Sequence, residues 1–394
     1  MNNIYMDNNA TTMAAPEVVQ EMMPFFADYY ANPSSMHFFA GEVGKKVDSA
    51  RQKIAALINA DPVEIIITSC GTESDNTAIR GVLEANPDKK HIVTTRVEHP
   101  AVLNLCRYLS KRGYAVTELS VNHEGLLDVN ELRNSLRDDT AIVSIMYANN
   151  ETGVIFPVEE IGKIVKERGI PFHVDAVQAA GKIPLNMKTS AIDLLSISGH
   201  KLHAPKGIGM LYVRRGIKLR PFIIGGHQEF GRRAGTENVP YIIGLGKACE
   251  LASQGMKEEN GRVRKLRDKL ENFILDNIKH TNRNGHPVMR LPNTSNVSFR
   301  HIEGEAILLS MSYLGISASS GSACTSGSLL PSHVLHAMGV PFDTVHGSIR
   351  FSLSRYNTED EINYIIEKLP AVINRLRELS PFGKDGRSSA PSAS

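Results

Sequence analysis

The chain has 394 residues, 42% of them apolar and 22% charged, and its 44 basic and 42 acidic side chains leave a formal charge of +2. That balance describes a globular protein with a sizeable core, large enough for one full-sized domain and a smaller one, and it offers no basic stripe for nucleic acid. Apolar runs are strand-sized, so no helical membrane span is expected, and the opening Met1-Asn-Asn-Ile-Tyr-Met-Asp7 lacks the basic start and apolar core of a secretion signal, so the expected location is the cytoplasm.

In chain order, 64–68 reads as a strand, 73–84 as a helix, 91–95 as a strand and 102–112 as a helix. Strand 115–119, helix 129–136, strand 141–147 and helix 158–168 follow, and then strands at 172–175, 194–198 and 209–213. This alternation is the mark of an α/β fold with a mostly parallel sheet wrapped by helices, in which ligands bind beyond the carboxyl ends of the strands. The character changes near residue 255: a long charged helix at 257–278 suits a connector, and a strand at 296–300, a Gly/Ser-rich loop at 318–328, a strand at 347–352 and a helix at 359–379 suggest a smaller α+β domain. The Ser-, Gly- and Pro-rich stretch 382–394 reads as a disordered tail.

Two segments at strand ends carry most of the functional signal, His173-Val-Asp-Ala-Val-Gln178 and Ser196-Ile-Ser-Gly-His-Lys201. Lys201 near Asp175 is what a pyridoxal phosphate site needs, an amine to hold the aldehyde as a Schiff base and a carboxylate to keep the pyridine nitrogen protonated. Gln178 would reach the ring hydroxyl. Ser69-Cys70-Gly71-Thr72-Glu73-Ser74 joins a buried strand to a helix, whose free backbone N–H groups and dipole suit a phosphate. Ser198 and His200 would complete that shell, and His99 in Arg-Val-Glu-His-Pro could lie against a ring and shuttle protons. Arg350 in Ser-Ile-Arg-Phe-Ser could grip a carboxylate.

Taken singly, His99 is as well explained by a helix cap or a core histidine, and the others are better explained by a helix cap, a solvated lysine or a surface ion pair; together on one sheet edge they favour a site. The four cysteines, Cys70, Cys106, Cys249 and Cys324, form no Cys-x-x-Cys pair, and the pairs His200/His203 and His333/His336 lack partner ligands, so no metal is expected. Cys324 stands apart because its loop of small residues would leave a thiol free to move and to be reached.

The chain resembles the NifS/IscS cysteine desulfurases, pyridoxal-phosphate enzymes of the class V aminotransferase family with the aspartate-aminotransferase-like fold (fold type I). Eight motifs run in family order: Tyr5-Met-Asp-Asn-Asn-Ala-Thr-Thr12, Gly71-Thr-Glu-Ser-Asp-Asn76, Glu98-His99, Asn149-Asn-Glu-Thr-Gly153, His173-Val-Asp-Ala-Val-Gln178, Ser198-Gly-His-Lys201, Arg233-Ala-Gly-Thr-Glu-Asn238 and Ser319-Ser-Gly-Ser-Ala-Cys-Thr-Ser326. The resemblance implies a large cofactor domain at 15–256, a small domain at 257–380 carrying the Cys324 loop, an N-terminal segment 1–14 packed on the small domain, and the tail 381–394.

It implies that Lys201 carries the cofactor and moves substrate protons, Asp175 pairs with the pyridinium, Gln178 and Asn150 reach the ring oxygen or substrate, and His99 stacks on the ring. Gly71, Thr72, Ser198 and His200 would hold the phosphate, with Thr236 supplied by the second subunit of a homodimer, and Arg350 would hold the carboxylate of L-cysteine. Cys324 would take the sulfur as a persulfide, release L-alanine and pass the sulfur to a NifU- or IscU-like iron–sulfur scaffold. Cys70 and Leu330 depart from the usual pattern without removing a catalytic group, and the tail is unlike that of IscS, which tilts the expectation towards NifS and nitrogenase. Another lyase or aminotransferase on this fold, or a silent scaffold, are the competing readings.

Overall fold

The structure is a computed structural model that describes residues 3–320 and 332–380. Cys324, Leu330, most of the Gly/Ser-rich loop and the expected tail lie outside the described residues.

Twelve strands are found among the described residues: β1 (Ile4–Tyr5), β2 (Ile65–Thr68), β3 (His91–Thr95), β4 (Ala115–Leu119), β5 (Thr140–Met146), β6 (Phe172–Asp175), β7 (Leu194–Ser198), β8 (Gly209–Val213), β9 (Thr281–Arg283), β10 (Thr294–Phe299), β11 (Ile316–Ser317) and β12 (Ser348–Ser352). Seven of them make the central sheet in the order β2-β8-β7-β6-β5-β3-β4, and β8 alone runs against the others. Strands β2, β5, β7 and β8 are buried along their whole length because helices cover both faces, which is why they read as nearly unbroken apolar runs. Among the polar residues of the central strands, Thr68, Ser144, Asp175 and Ser198 sit towards the carboxyl ends. That is the edge where an α/β sheet binds its ligand.

A second core lies around the antiparallel sheet β12-β10-β9, packed by helices Gly304–Tyr313 and Glu359–Leu379, and Ile4 and Met6 belong to it. The N-terminal segment therefore links both cores, with β1 pairing β11 and Asp7 bridging Ser352 on one side, and Thr12 bonded to His200 on the other.

One expectation needs correction. The long helix begins at Val239, not at 257, and runs unbroken to Asn277. Its first half presents Ile242, Ile243, Leu245, Ala248, Cys249 and Ala252 to the core of the central sheet, and Val263, Leu266, Leu270 and Ile274 then face the second core, so one helix is shared by both. After Asp175 there is a tight turn, with Ala179 and Ala180 both donating to the Ala176 carbonyl, and no helix starts there.

Candidate active site

The site gathers at the carboxyl ends of β2, β5, β6 and β7. Gly71 opens helix Gly71–Ala85 directly after β2. A Cβ on Gly71 would come within 2.8 Å of Val177 Cγ2 and 3.6 Å of Ser198 Cβ, so glycine is what lets the helix start approach the turn after Asp175 and the end of β7. The first N–H groups of that helix have no partner within the helix and offer a seat for an anion. Thr72 is exposed there, while Ser198 is buried.

Lys201 ends a short 3-10 turn after β7, and its Nζ donates to the carbonyls of Asn9 and Ala10, at 2.6 Å each. Asp175 closes β6, and its Oδ1 accepts from the Val177 N–H at 2.9 Å. Burial pushes the Asp175 carboxyl up, against the pull of the Val177 bond and the Lys201 charge. Gln178 donates through Nε2 to the Asn9 carbonyl at 3.0 Å.

His99 caps helix Pro100–Ser110, where its Nδ1 accepts from the Ala101 N–H. That bond puts the ring proton on Nε2. Burial, Lys201 and His333 bring His99 down to about 4, so the imidazole is neutral near pH 7. His200, bonded through Nδ1 to Thr11 Oγ1 at 3.1 Å, is lowered to about 4 by burial and the neighbouring Lys201 charge.

Arg350, on β12, is 1% exposed. It donates to Asp7 Oδ1 at 2.6 Å and to the Asn150 carbonyl at 3.1 Å. Thr236 is exposed and has no hydrogen bond to the other site residues among the described residues. Its segment is tied to the start of the Gly71–Ala85 helix by Arg233, which donates to Glu73 at 2.8 Å.

Although Cys324 is outside the described residues, the chain on either side of its segment touches the site. Ser319 exchanges backbone bonds with Arg350, Ser332 bonds Glu151, and His333 Nε2 lies 3.0 Å from the Glu98 carbonyl oxygen.

Sequence reasoning missed the share taken by Asp7, Asn9, Ala10 and Thr11, which together touch Arg350, Asn150, Gln178, Lys201 and His200. The only signal was an Asp-Asn-Asn-Ala-Thr-Thr run beside a strand. It also gave no role to the fully buried polar chain on one face of the sheet: His173 lies 2.8 Å from Ser144 Oγ and 2.9 Å from Ser196 Oγ, with Asp75 Oδ1 3.6 Å from His173 Nε2. Burial and the Asp175 charge push Asp75 well up, and burial brings His173 down to about 3, so the imidazole is neutral near pH 7.

The residues present fit pyridoxal phosphate. Two buried polar atoms, Ser198 Oγ and Gln178 Oε1, have no hydrogen-bond partner, and both belong to residues expected to face the cofactor. Buried polar atoms are seldom left so without a ligand to take them. A neutral imidazole, a buried carboxyl, a lysine amine and a helix start stand around the same sheet edge.

Comparison with known proteins bears on what this arrangement serves. The family model described as "Aminotransferase class-V" matches residues 4–365. A cysteine desulfurase of Trichormus azollae is 63% identical over 385 residues, spanning 98% of this chain and 96% of that protein. The cysteine desulfurase NifS of Azotobacter vinelandii is 55% identical over 383 residues, spanning 97% and 95%. Among solved structures, a NifS-like protein superposes with a TM-score of 0.90 at 40% identity, covering 95% of this chain and all of that one.

Proposed function

The chain belongs to the class-V aminotransferase family and is a pyridoxal-phosphate-dependent cysteine desulfurase; from that premise we propose which of its residues perform the reaction. When bound, the cofactor supplies an electron sink that weakens the bond between the substrate's β-carbon and its sulfur. Lys201 would hold the cofactor's aldehyde, and its amine would move protons at the substrate's α- and β-carbons. Asp175 would pair with the ring nitrogen and keep it protonated, and His99, a neutral imidazole, would stack on the ring. Gly71, Thr72, Ser198 and His200 would hold the phosphate, Gln178 and Asn150 would reach the ring oxygen or the substrate, and Arg350 would take the cysteine carboxylate.

Cys324 receives the sulfur: a new S–S bond forms on its thiolate, the carbon–sulfur bond breaks with its electron pair left on carbon, and protonation there yields L-alanine. The persulfide passes to an iron–sulfur scaffold of the NifU or IscU kind. The enzyme works in the cytoplasm as a homodimer, with Thr236 of the partner subunit closing the phosphate seat. The likeness to the Azotobacter protein named NifS supports service to nitrogenase. We assign residues 15–256 to the cofactor domain and 257–380 to the smaller one, and helix Val239–Asn277 packs on both.

The observation that carries the residue assignment is the convergence of Lys201 and Asp175 with the two unpartnered atoms of Ser198 and Gln178. The test is L-alanine formation from L-cysteine under reducing conditions, comparing the loaded wild type with Cys324→Ala. Alanine from the wild type and almost none from the variant supports the assignment; equal turnover makes the chain a lyase that does not use Cys324.

A further inference from the structure

Arg350 already meets one carboxylate. The N-terminal segment runs beside β12, where Asp7 and Ser352 form a parallel bridge. The Ser352 N–H donates to the Met6 carbonyl at 2.7 Å, and the Asn8 N–H donates to the Ser352 carbonyl at 3.1 Å. The Asn9 N–H adds a bond to Ser352 Oγ at 2.9 Å. Asp7 is thus fastened by the backbone on either side of it, and its Oδ1 accepts from Arg350 Nη2 at 2.6 Å. Among the described residues it is the only carboxylate within ion-pair distance of Arg350, and the two side chains are 20% and 1% exposed. Glu151 also feels the Arg350 charge, but its Oε2 is taken by Ser332.

A guanidinium grips a carboxylate with two adjacent N–H groups, and Nε shares its fork with Nη2. Arg350 Nη1 donates to the Asn150 carbonyl and Nη2 to Asp7, while Nε is buried with no hydrogen-bond partner. Buried donors are seldom left so, which marks the Nε edge as the seat for an anion. A carboxylate gripped there also meets Nη2, the nitrogen that Asp7 holds. Whichever Nη2 hydrogen it takes, two carboxylates then face one nitrogen with a single positive charge between them. Like charges that close repel strongly where little water screens them.

We propose that Asp7 is a positioning residue for the substrate carboxylate: it is the resident counter-ion of Arg350, and it weakens the grip of Arg350 on substrate and product alike. Without Asp7, a guanidinium that is 1% exposed would stand uncompensated between turnovers, which is costly. With Asp7 in place, an incoming carboxylate gains only the part of the Arg350 charge that Asp7 leaves. L-Cysteine and L-alanine carry the same carboxylate, so one residue loosens both and lets the product leave. The role rests on Arg350 taking the substrate carboxylate, as proposed above.

The experiment measures binding of L-alanine to the loaded enzyme, read by the absorbance of the cofactor. L-Alaninamide, which keeps the amine and the methyl group but carries no carboxylate, is measured beside it. Asp7→Asn removes the charge at nearly constant shape. Asp7→Ser removes it with a smaller side chain and serves where Asp7→Asn does not fold, and Asp7→Glu keeps the charge. The expected result is L-alanine binding tightened about tenfold in Asp7→Asn and Asp7→Ser, the order of effect of one close charge. No tightening is expected in Asp7→Glu, and little change for L-alaninamide in these variants. If Asp7 merely braced Arg350, its loss would weaken L-alanine binding. That result, no change, or equal tightening of L-alaninamide overturns the proposal. L-Alanine affinity unmoved in Arg350→Gln removes the premise and the proposal together, whereas affinity lost there without tightening in the Asp7 variants removes the proposal alone.

Discussion

The two cores of this protein each bury acidic side chains, and they treat them in opposite ways. In the smaller core Glu271 is fully buried, and every charge on it is met: Arg290 donates through both terminal nitrogens at 2.5 and 2.6 Å, Arg283 at 2.7 Å and Ser295 at 2.7 Å. Burial alone would push that carboxyl up, but the arginines and Ser295 outweigh it and hold it at about 2. At the edge of the central sheet Asp75, Glu98 and Asp175 are just as buried, yet no arginine is paired with them. Burial raises all three, Glu98 to about 8, and Glu98 Oε2 and Asp75 Oδ1 have no hydrogen-bond partner. A matched buried acid is a structural joint. An unmatched cluster is a store of protonation states, kept where chemistry uses them.

If that contrast is right, substitutions at the sheet edge should damage chemistry before stability, and substitutions at Glu271 should do the reverse. The largest effect is expected from Lys201→Ala, which should abolish covalent capture of the cofactor and lower L-alanine formation by about 10³-fold or more while the protein stays folded. Asp175→Asn keeps an acceptor for the Val177 N–H but cannot hold a negative charge, and should cost about 10²-fold in alanine formation with little change in the urea unfolding midpoint.

Glu271→Gln should instead lower stability by about 3 kcal/mol, because it leaves the buried Arg290 without its counter-charge and takes the partner from the half-buried Arg283. Urea unfolding measures that loss, and the fraction still folded should turn over normally. In the wild type the Glu271 contribution is fully present above the ordinary carboxyl value of 4.5 and is lost as pH falls towards about 2.

The smallest effect, and the sharpest for the comparison, is a slope. Glu98 is protonated in the folded state up to about pH 8 but ionises near 4.5 when unfolded, so the folded form binds the extra proton between those values. Stability should therefore decline as pH rises from about 4.5 to 8, and Glu98→Gln, which mimics the neutral acid, should flatten that decline. An unchanged slope would mean that Glu98 is ionised in place.

Much of this was legible in the chain. Strands β3, β4, β6, β7 and β8 begin and end where their patterning places them; all but the half-buried edge strand β4 are buried along their whole length, and a strand covered on both faces is easily marked off from its flanks. Lys201 and Asp175 were legible because an amine and a carboxylate at neighbouring strand ends have few other uses. Helix Phe38–Leu57 escaped notice because Gly41 and Gly44 interrupt a weakly amphipathic pattern. The role of Asn9 and Ala10 escaped because their bonds to Lys201 cross 192 and 191 residues, and nothing local announces them.

The central claim is that a sheet-edge site built on Lys201 and Asp175 delivers sulfur to Cys324. The most direct test is a single turnover of the loaded enzyme with L-cysteine in the absence of reductant, followed by mass mapping of the Cys324 peptide. The account predicts one L-alanine per active site and one added sulfur on Cys324. Alanine formed with Cys324 unmodified and the sulfur released as free sulfide would contradict it.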